Sequence, residues 1–142
     1  MGMSSIICLG NRYIAGDDLG CRVFNCLSQT PRPPGIEVVD GGLCGLDLLS
    51  LMEGKTRVVF ADALLASAAP GRIVVLDGGQ VAAQASSYGH SAGLPFLLRM
   101  MPHAVSPPWP QVALVGADGD ADSLTVSAVA NRCLEIACHG LA

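Results

Sequence analysis

The chain alternates short apolar runs with longer segments in which apolar residues recur every three or four positions. Runs that are rich in Val, Ile and Leu and bounded by Gly, Pro or Asp predict five β-strands, each buried on both faces. They span residues 5–9, 36–40, 57–61, 72–77 and 111–116. Helical periodicity predicts four α-helices, at residues 18–28, 45–52, 91–101 and about 127–138. Because alternating strands and helices are typical of α/β proteins, the pattern predicts a three-layer αβα fold around a mostly parallel, five-stranded twisted sheet.

Two proline-rich segments, residues 30–35 and 102–110, are predicted to be loops, since proline cannot continue a helix. The chain shows no internal repeat, no low-complexity tract and no shift in composition. We therefore predict a single domain over residues 1–142.

Charge and hydropathy narrow the range of partners. Eight basic and twelve acidic residues give a formal net charge of −4, and no stretch is rich in Lys or Arg. Nucleic acid is therefore not an expected partner, because phosphate binding requires a basic surface. The longest apolar stretches reach about ten residues, against the ~20 that a membrane-spanning helix needs, so we expect no membrane insertion.

None of the six cysteines belongs to a C-x-x-C pair, which argues against a zinc or dithiol site. Five of them, Cys8, Cys21, Cys26, Cys133 and Cys138, lie in apolar runs and are predicted to be buried thiols. No charged-then-apolar segment of the signal-peptide type stands at the N-terminus. We expect a reducing, cytoplasmic environment.

Polar residues follow the first three predicted strands, at the edge where parallel sheets form their ligand sites. A glycine-rich run, residues 10–20, follows the first strand and contains Asp17 and Asp18. Asp40 ends the second strand, and Asp62 directly follows the third. We expect these carboxylates to lie near one another.

Other roles remain open for the same residues. The glycine-rich run matches neither the dinucleotide nor the P-loop pattern, and its two aspartates would repel a phosphate. Asp17 alone fits the N-cap of a helix, and Asp18 fits a first-turn acid that interacts with the helix dipole. Asp62 alone fits a cap of the turn that follows it.

His90 lies in a polar loop that leads into an apolar helix, where a histidine is more often a surface or hydrogen-bonded residue. The combination of Asp18, Asp62 and His90 nevertheless provides two carboxylates and an imidazole, which suit nickel, zinc, manganese or iron and leave coordination positions open. Composition and spacing do not choose among these metals. We assign no role to His103 or His139.

Four short motifs follow one another along nearly the whole chain. They are Gly10-Asn11 with Asp17-Asp18-Leu19-Gly20, Asp40-Gly41-Gly42 with Gly45, Ala61-Asp62-Ala63, and His90-Ser91-Ala92-Gly93-Leu94. Their order and intervals resemble those of the nickel-iron hydrogenase maturation proteases, endopeptidases that trim the C-terminal extension of the hydrogenase large subunit.

This resemblance implies that Asp18, Asp62 and His90 contact nickel. It also implies that the nickel belongs to the substrate, a large-subunit precursor whose cysteines supply the soft ligands, and that no organic cofactor is needed. The expected protein is a monomeric cytoplasmic endopeptidase whose partner is that precursor.

Two mechanisms follow from the resemblance. In one, nickel polarises the scissile carbonyl or lowers the pKa of a water molecule. In the other, a carboxylate is the general base, and Asp40 joins Asp18, Asp62 and His90 as a catalytic candidate. Cys44 is a weak candidate for a thiol nucleophile, because no histidine stands near it in the sequence.

The chain departs from the family pattern at two places, of which the first, at residue 43, predicts that it positions its substrate differently. Leu43 stands where a threonine is expected, and residues 116–122 replace a proline-containing loop. An alternative interpretation is a non-catalytic nickel- or precursor-binding chaperone of the same fold. An unrelated α/β hydrolase with its own metal would be expected to show H-E-x-x-H or a further pair of histidine ligands, which the sequence lacks.

Overall fold

The computed structural model describes residues 2–43, 45–64, 71–83 and 93–141. Within these ranges the chain forms a five-stranded sheet of β1 (Met3–Leu9), β2 (Ile36–Gly42), β3 (Lys55–Leu64), β4 (Val74–Asp77) and β5 (Gln111–Asp118). The strand order is β2-β1-β3-β5-β4, and only the β4–β5 pairing is antiparallel. The mostly parallel sheet predicted from the sequence is confirmed.

The helices in the described ranges are α1 (Leu19–Ser28), α2 (Leu49–Met52), α3 (Gly78–Ala83), α4 (Gly93–Ala104) and α5 (Ser123–His139). A 3₁₀ turn, Leu46–Leu48, leads directly into α2. The short helix α3 was not predicted. α5 begins four residues before the predicted start, because the Asp122 carboxylate accepts a hydrogen bond of 2.8 Å from the Thr125 N–H and caps the helix there. α4 continues through Pro102, so the second proline-rich loop begins only at Val105.

Alternate residues of the central strands pack on opposite faces of the sheet. One face, which includes Ile6 and Val59, is covered by α1 and α5. The other face, which includes Ile7 and Phe60, is covered by α2, α3 and α4. The predicted three-layer αβα arrangement is therefore confirmed. The edge strands β2 and β4 are only half-buried, which corrects the prediction that all five strands are buried on both faces.

All five described cysteines are free thiols. Cys8, Cys21 and Cys133 are buried as predicted, whereas Cys26 and Cys138 are half-buried. Within the described ranges, every helix falls short of the length and apolarity that a bilayer crossing requires.

Candidate functional site

The loop between β1 and α1 closes onto the end of β1. The Gly10 N–H donates a hydrogen bond of 2.8 Å to the Gly42 carbonyl, and the Asn11 N–H donates one of 2.9 Å to the Asp17 carbonyl. Gly10 has a φ of 147°, and a Cβ at this position would lie 2.4 Å from the Asp17 carbonyl oxygen. Only glycine fits both the backbone conformation and the close approach. These contacts hold Asp17 against the end of the strand.

The first turn of α1 packs directly on β1. A Cβ at Gly20 would lie 1.8 Å from the Leu9 carbonyl oxygen, so any side chain there would push the helix away from the strand. The loop that carries Asp17 and Asp18 is therefore fixed at both ends, by Gly10 and by Gly20.

Asp62 is a buried carboxyl group in the interior of β3, with only 1% of its surface exposed. Its position in the strand places it on the same face of the sheet as Phe60 and Leu64. The Asp62 Oδ1 atom accepts a hydrogen bond of 2.8 Å from the Ala63 N–H, whereas Oδ2 has no hydrogen-bond partner among the described residues. The strand continues for two residues beyond Asp62, so this residue does not cap a turn.

Burial raises the pKa of Asp62 to about 8. The Ala63 N–H opposes this shift by stabilising the carboxylate, and the neighbouring Asp17 adds to it by repulsion. Asp62 is thus close enough to Asp17 for the two carboxyl groups to interact electrostatically.

Asp17 and Asp18 occupy different environments. Asp17 is buried, with 1% of its surface exposed, and it is the acid of this loop that interacts with Asp62. Asp18 is half-buried at the N-cap position of α1 and makes no side-chain capping hydrogen bond. The N-cap role that the sequence suggested for Asp17 falls to its neighbour, because the helix begins at Leu19.

The strand order explains why these two acids meet. β1 and β3 are adjacent, but the chain leaves β1 through α1 on one face of the sheet and enters β3 from α2 on the other. Such a reversal opens a crevice at the carboxyl ends of the strands, where α/β proteins bind their ligands. Asp17 and Asp62 lie at this point.

Asp40 lies at the carboxyl end of β2, as predicted, but it has partners of its own. Its Oδ2 atom forms an ion pair with Arg12, and Oδ1 accepts a hydrogen bond of 3.2 Å from the Gly42 N–H. The ion pair joins the loop after β1 to the end of β2. Sequence reasoning missed Arg12, although it was the only basic residue in the glycine-rich run.

The remaining sequence candidates are less close to this site or lie outside the description. His90 and Cys44 fall outside the described residues. His103 and His139 lie in the last turns of α4 and α5. Within the described ranges, no group of three His, Cys, Asp or Glu side chains is arranged to hold a metal ion. Of the three predicted metal contacts, Asp18 and Asp62 lie in these ranges and His90 does not.

Cys21 lies beneath the same loop, with its Sγ atom 3.8 Å from the Gly10 carbonyl oxygen. Burial raises the pKa of this thiol, and the Asp40 carboxylate raises it further. The group therefore remains a protonated thiol at neutral pH, which does not favour nucleophilic chemistry.

Cavity volume does not identify the site. A cavity of about 420 Å³ lies at the opposite edge of the sheet, between α3 and the start of β5, where its walls are mainly apolar. A shallower groove of about 310 Å³ lies at the carboxyl edge and is lined by Gly10, Asn11, Arg12, Tyr13, Gly42 and Leu43. The groove lies between the loop that carries Asp17 and the end of β2, where Asp40 lies.

Comparison with known proteins points to one family. The family model described as HycI, hydrogenase maturation protease, matches residues 21–121, a range that includes Asp40, Asp62 and His90 but begins after Asp17 and Asp18. The hydrogenase 2 maturation protease of Escherichia coli (strain K12) is 30% identical over 80 residues, which are 55% of this chain and 49% of that protein. The aligned region thus spans about half the length of this relative.

Solved structures show the same similarity over more of the chain. The hydrogenase maturating endopeptidase HybD from E. coli superimposes with a TM-score of 0.70 at 25% identity, covering 94% of this chain and 88% of that one. The NiFe hydrogenase maturation protease HybD from Thermococcus kodakarensis shares the fold, with a TM-score of 0.64 at 22% identity and coverage of 95% and 96%.

Proposed function

Because the chain belongs to the hydrogenase maturation protease family, we propose that it is an endopeptidase that removes the C-terminal extension of a nickel-iron hydrogenase large-subunit precursor. The observation that carries this proposal is the pair of buried acids, Asp17 and Asp62, at the crevice between β1 and β3. Buried carboxyl groups are costly unless they are paired or bind a cation. Asp62, whose Oδ2 atom has no hydrogen-bond partner among the described residues, therefore suits a cationic substrate group at this edge.

Nickel, carried by the precursor, is the cation we propose. The buried Oδ2 atom of Asp62, which has no hydrogen-bond partner among the described residues, is a hard oxygen donor that suits a divalent metal ion. A cation there would offset the desolvation that raises the pKa of Asp62. In this proposal nickel is part of the substrate, and the protein needs no organic cofactor.

The sequence motif assigns the nickel contact in the β1–α1 loop to Asp18. We propose that Asp17 makes this contact instead, and we retain Asp62 and His90 as the other two. Asp17 is the acid that interacts with Asp62, whereas Asp18 occupies the N-cap of α1. His90 precedes the start of α4 by three residues, and α4 packs on the face of the sheet that contains Phe60 and the Asp62 position. We retain His90 on the sequence motif, and its position lies outside the described residues.

The contacts of Asp40 favour a positioning role over that of a general base. One of its oxygen atoms pairs with Arg12, and the other accepts the Gly42 N–H. A general base needs an oxygen that can reach the proton it removes. We therefore place the activation of water at the Asp17–Asp62 crevice, with nickel supplying charge stabilisation when the precursor is bound.

The proposed setting is the cytoplasm, with the protein acting as a monomer on the folded, nickel-loaded precursor. The intact mass of a precursor from the same cell, measured before and after incubation with the protein, tests the proposal. Loss of a C-terminal peptide only when nickel is present supports it. An unchanged mass together with a stable complex would instead support a non-catalytic chaperone.

A further inference from the structure

Large apolar side chains are exposed at the carboxyl edge, on the loop after β1, which carries Asp17, and on the segment after β2. Tyr13 is 89% exposed and Ile14 is 48% exposed in the loop after β1, and Leu43 is 66% exposed and Leu46 55% exposed after β2. Exposing this much apolar surface on neighbouring loops is unfavourable in water. It is therefore a candidate contact surface.

Tyr13 and Leu43 line the groove of about 310 Å³ between these loops. Pockets for small ligands measure about 300–1,000 Å³, so this volume is at the lower limit and suits a few side chains of a peptide. The groove adjoins the proposed site along the chain, because Arg12 and Tyr13 belong to the same loop as Asp17.

The charge of the groove restricts its occupant further. Its one charged lining residue in the described part of the chain, Arg12, is neutralised by the ion pair with Asp40. A charged segment would find no free counter-charge there, whereas an uncharged apolar segment would match both the neutral wall and the exposed rim.

We infer that this groove binds an uncharged, apolar stretch of the precursor next to the scissile bond, with Tyr13 and Leu43 as its main contacts. The inference rests on the proposed function and specifies how the substrate is held. The Arg12–Asp40 pair links the loop after β1 to the end of β2 beside the groove. Leu43 thereby replaces the hydroxyl expected from the family pattern with an apolar contact.

The test compares the wild type with the double variant Tyr13→Ser/Leu43→Ser. Leu124→Ser is the matched control, because Leu124 is 80% exposed on α5 and does not line the groove. KM and kcat for the nickel-loaded precursor are measured by intact mass, and the Kd for the same precursor is measured by interferometry. We expect the double variant to raise KM and Kd about tenfold or more with kcat within about twofold, the signature of lost uniform binding.

We expect Leu124→Ser to match the wild type and Leu43→Met, which keeps an apolar side chain, to retain most of the affinity. If the wild type cleaves the precursor and the double variant shows unchanged KM and Kd, the docking inference is wrong and the proposed function stands. If the wild type binds without cleaving, the proposed function is wrong, and the Kd comparison still decides the docking inference. A wild-type dimer in sedimentation that becomes a monomer in the double variant would assign the groove to a second copy and overturn the inference.

Discussion

The two edges of the sheet differ in how fully their buried polar side chains are hydrogen-bonded. At the amino-terminal edge, Ser5 donates a hydrogen bond to Glu37, and Lys55 lies 3.2 Å from the same carboxylate. Arg57 donates hydrogen bonds to the Ala137 and Cys138 carbonyls at the end of α5. At the carboxyl edge, by contrast, Asp62 is buried with no hydrogen-bond partner for Oδ2 in the described part of the chain.

The difference favours a stabilising role for the amino-terminal edge and supports the carboxyl edge as the proposed ligand site. The amino-terminal edge follows the rule that buried polar groups have partners. The carboxyl edge breaks that rule at one acid, and such local exceptions concentrate where a site must remain ready for its ligand. The cavity of about 420 Å³ lies at the amino-terminal edge, away from the predicted acids. The buried Asp62, whose Oδ2 atom has no partner among the described residues, is therefore a better indicator of the proposed site than cavity volume.

We expect the largest effect on precursor processing when either of the two buried acids is substituted. Asp17→Asn and Asp62→Asn should each slow precursor trimming by at least about a hundredfold, since even outer-shell partners of metal sites contribute about 10–100-fold. Trimming is measured by intact mass under single-turnover conditions. The protein should remain folded, because the asparagine side chain has nearly the same volume.

Asp18→Asn is the matched control for this first prediction. It changes the same chemical group one residue away, at a half-buried N-cap without a capping hydrogen bond. We expect it to retain most of the activity. Loss of activity in Asp18→Asn with full activity in Asp17→Asn would restore the assignment that the sequence motif suggested.

The second prediction concerns pH-dependent stability at the carboxyl edge. The folded-state pKa of Asp62 is about 8, above its unfolded value, so the folded state retains a proton that the unfolded chain has lost. The free energy of unfolding should therefore fall as pH rises from about 4 to about 8, by an amount on the order of a few kcal/mol. Urea unfolding of the free protein at several pH values across this range measures the slope.

The acids with lowered pKa values contribute to the pH dependence of stability in a different pH range. A hydrogen bond from Ser5 lowers the pKa of Glu37, and the Thr125 N–H lowers that of Asp122, so both contributions are lost only in acid. Asp62→Asn should flatten the slope between about pH 4 and about pH 8 and stabilise the protein at the upper end of this range. An identical slope in this variant would show that Asp62 does not carry the effect.

The sequence predicted the strands well because each one is a short, continuous run of apolar residues, a signal that needs no knowledge of distant contacts. It predicted the position of the acids less well. Whether Asp17 or Asp18 enters the crevice depends on contacts between distant residues, the Gly10 bond to Gly42 and the approach of Gly20 to Leu9. The periodicity of apolar residues is a local signal and does not predict such long-range contacts.

Two features of the fold could not be predicted from the pattern of apolar residues. Helix α3 begins with two glycines and buries only Val81, so it lacks both helix propensity and an apolar stripe. The direction of β4 is set by its pairing with β5, and a short apolar run has the same appearance in either direction. Arg12 was overlooked because its partner Asp40 lies 28 residues away.

The third prediction tests the amino-terminal edge. Arg57→Met removes the hydrogen bonds to the last carbonyls of α5, where a cation also interacts favourably with the helix dipole. The free energy of unfolding should fall by about 1–2 kcal/mol. Processing measured as before should keep its KM and kcat, because Arg57 lies at the other end of the strand from Asp62. A change in kcat would show that the two edges are coupled.

The smallest stability effects are expected from the ion pair at each edge. Lys55→Met removes the pair with Glu37, and Arg12→Met removes the pair with Asp40. Both pairs are partly exposed, so each variant should lose less than about 1 kcal/mol of unfolding free energy, and less at high salt. Their effects on processing should nevertheless differ. Only Arg12→Met removes a contact beside the substrate groove, so only this variant should raise KM. An equal KM in both variants would show that the Arg12–Asp40 pair has no role beyond its small contribution to stability.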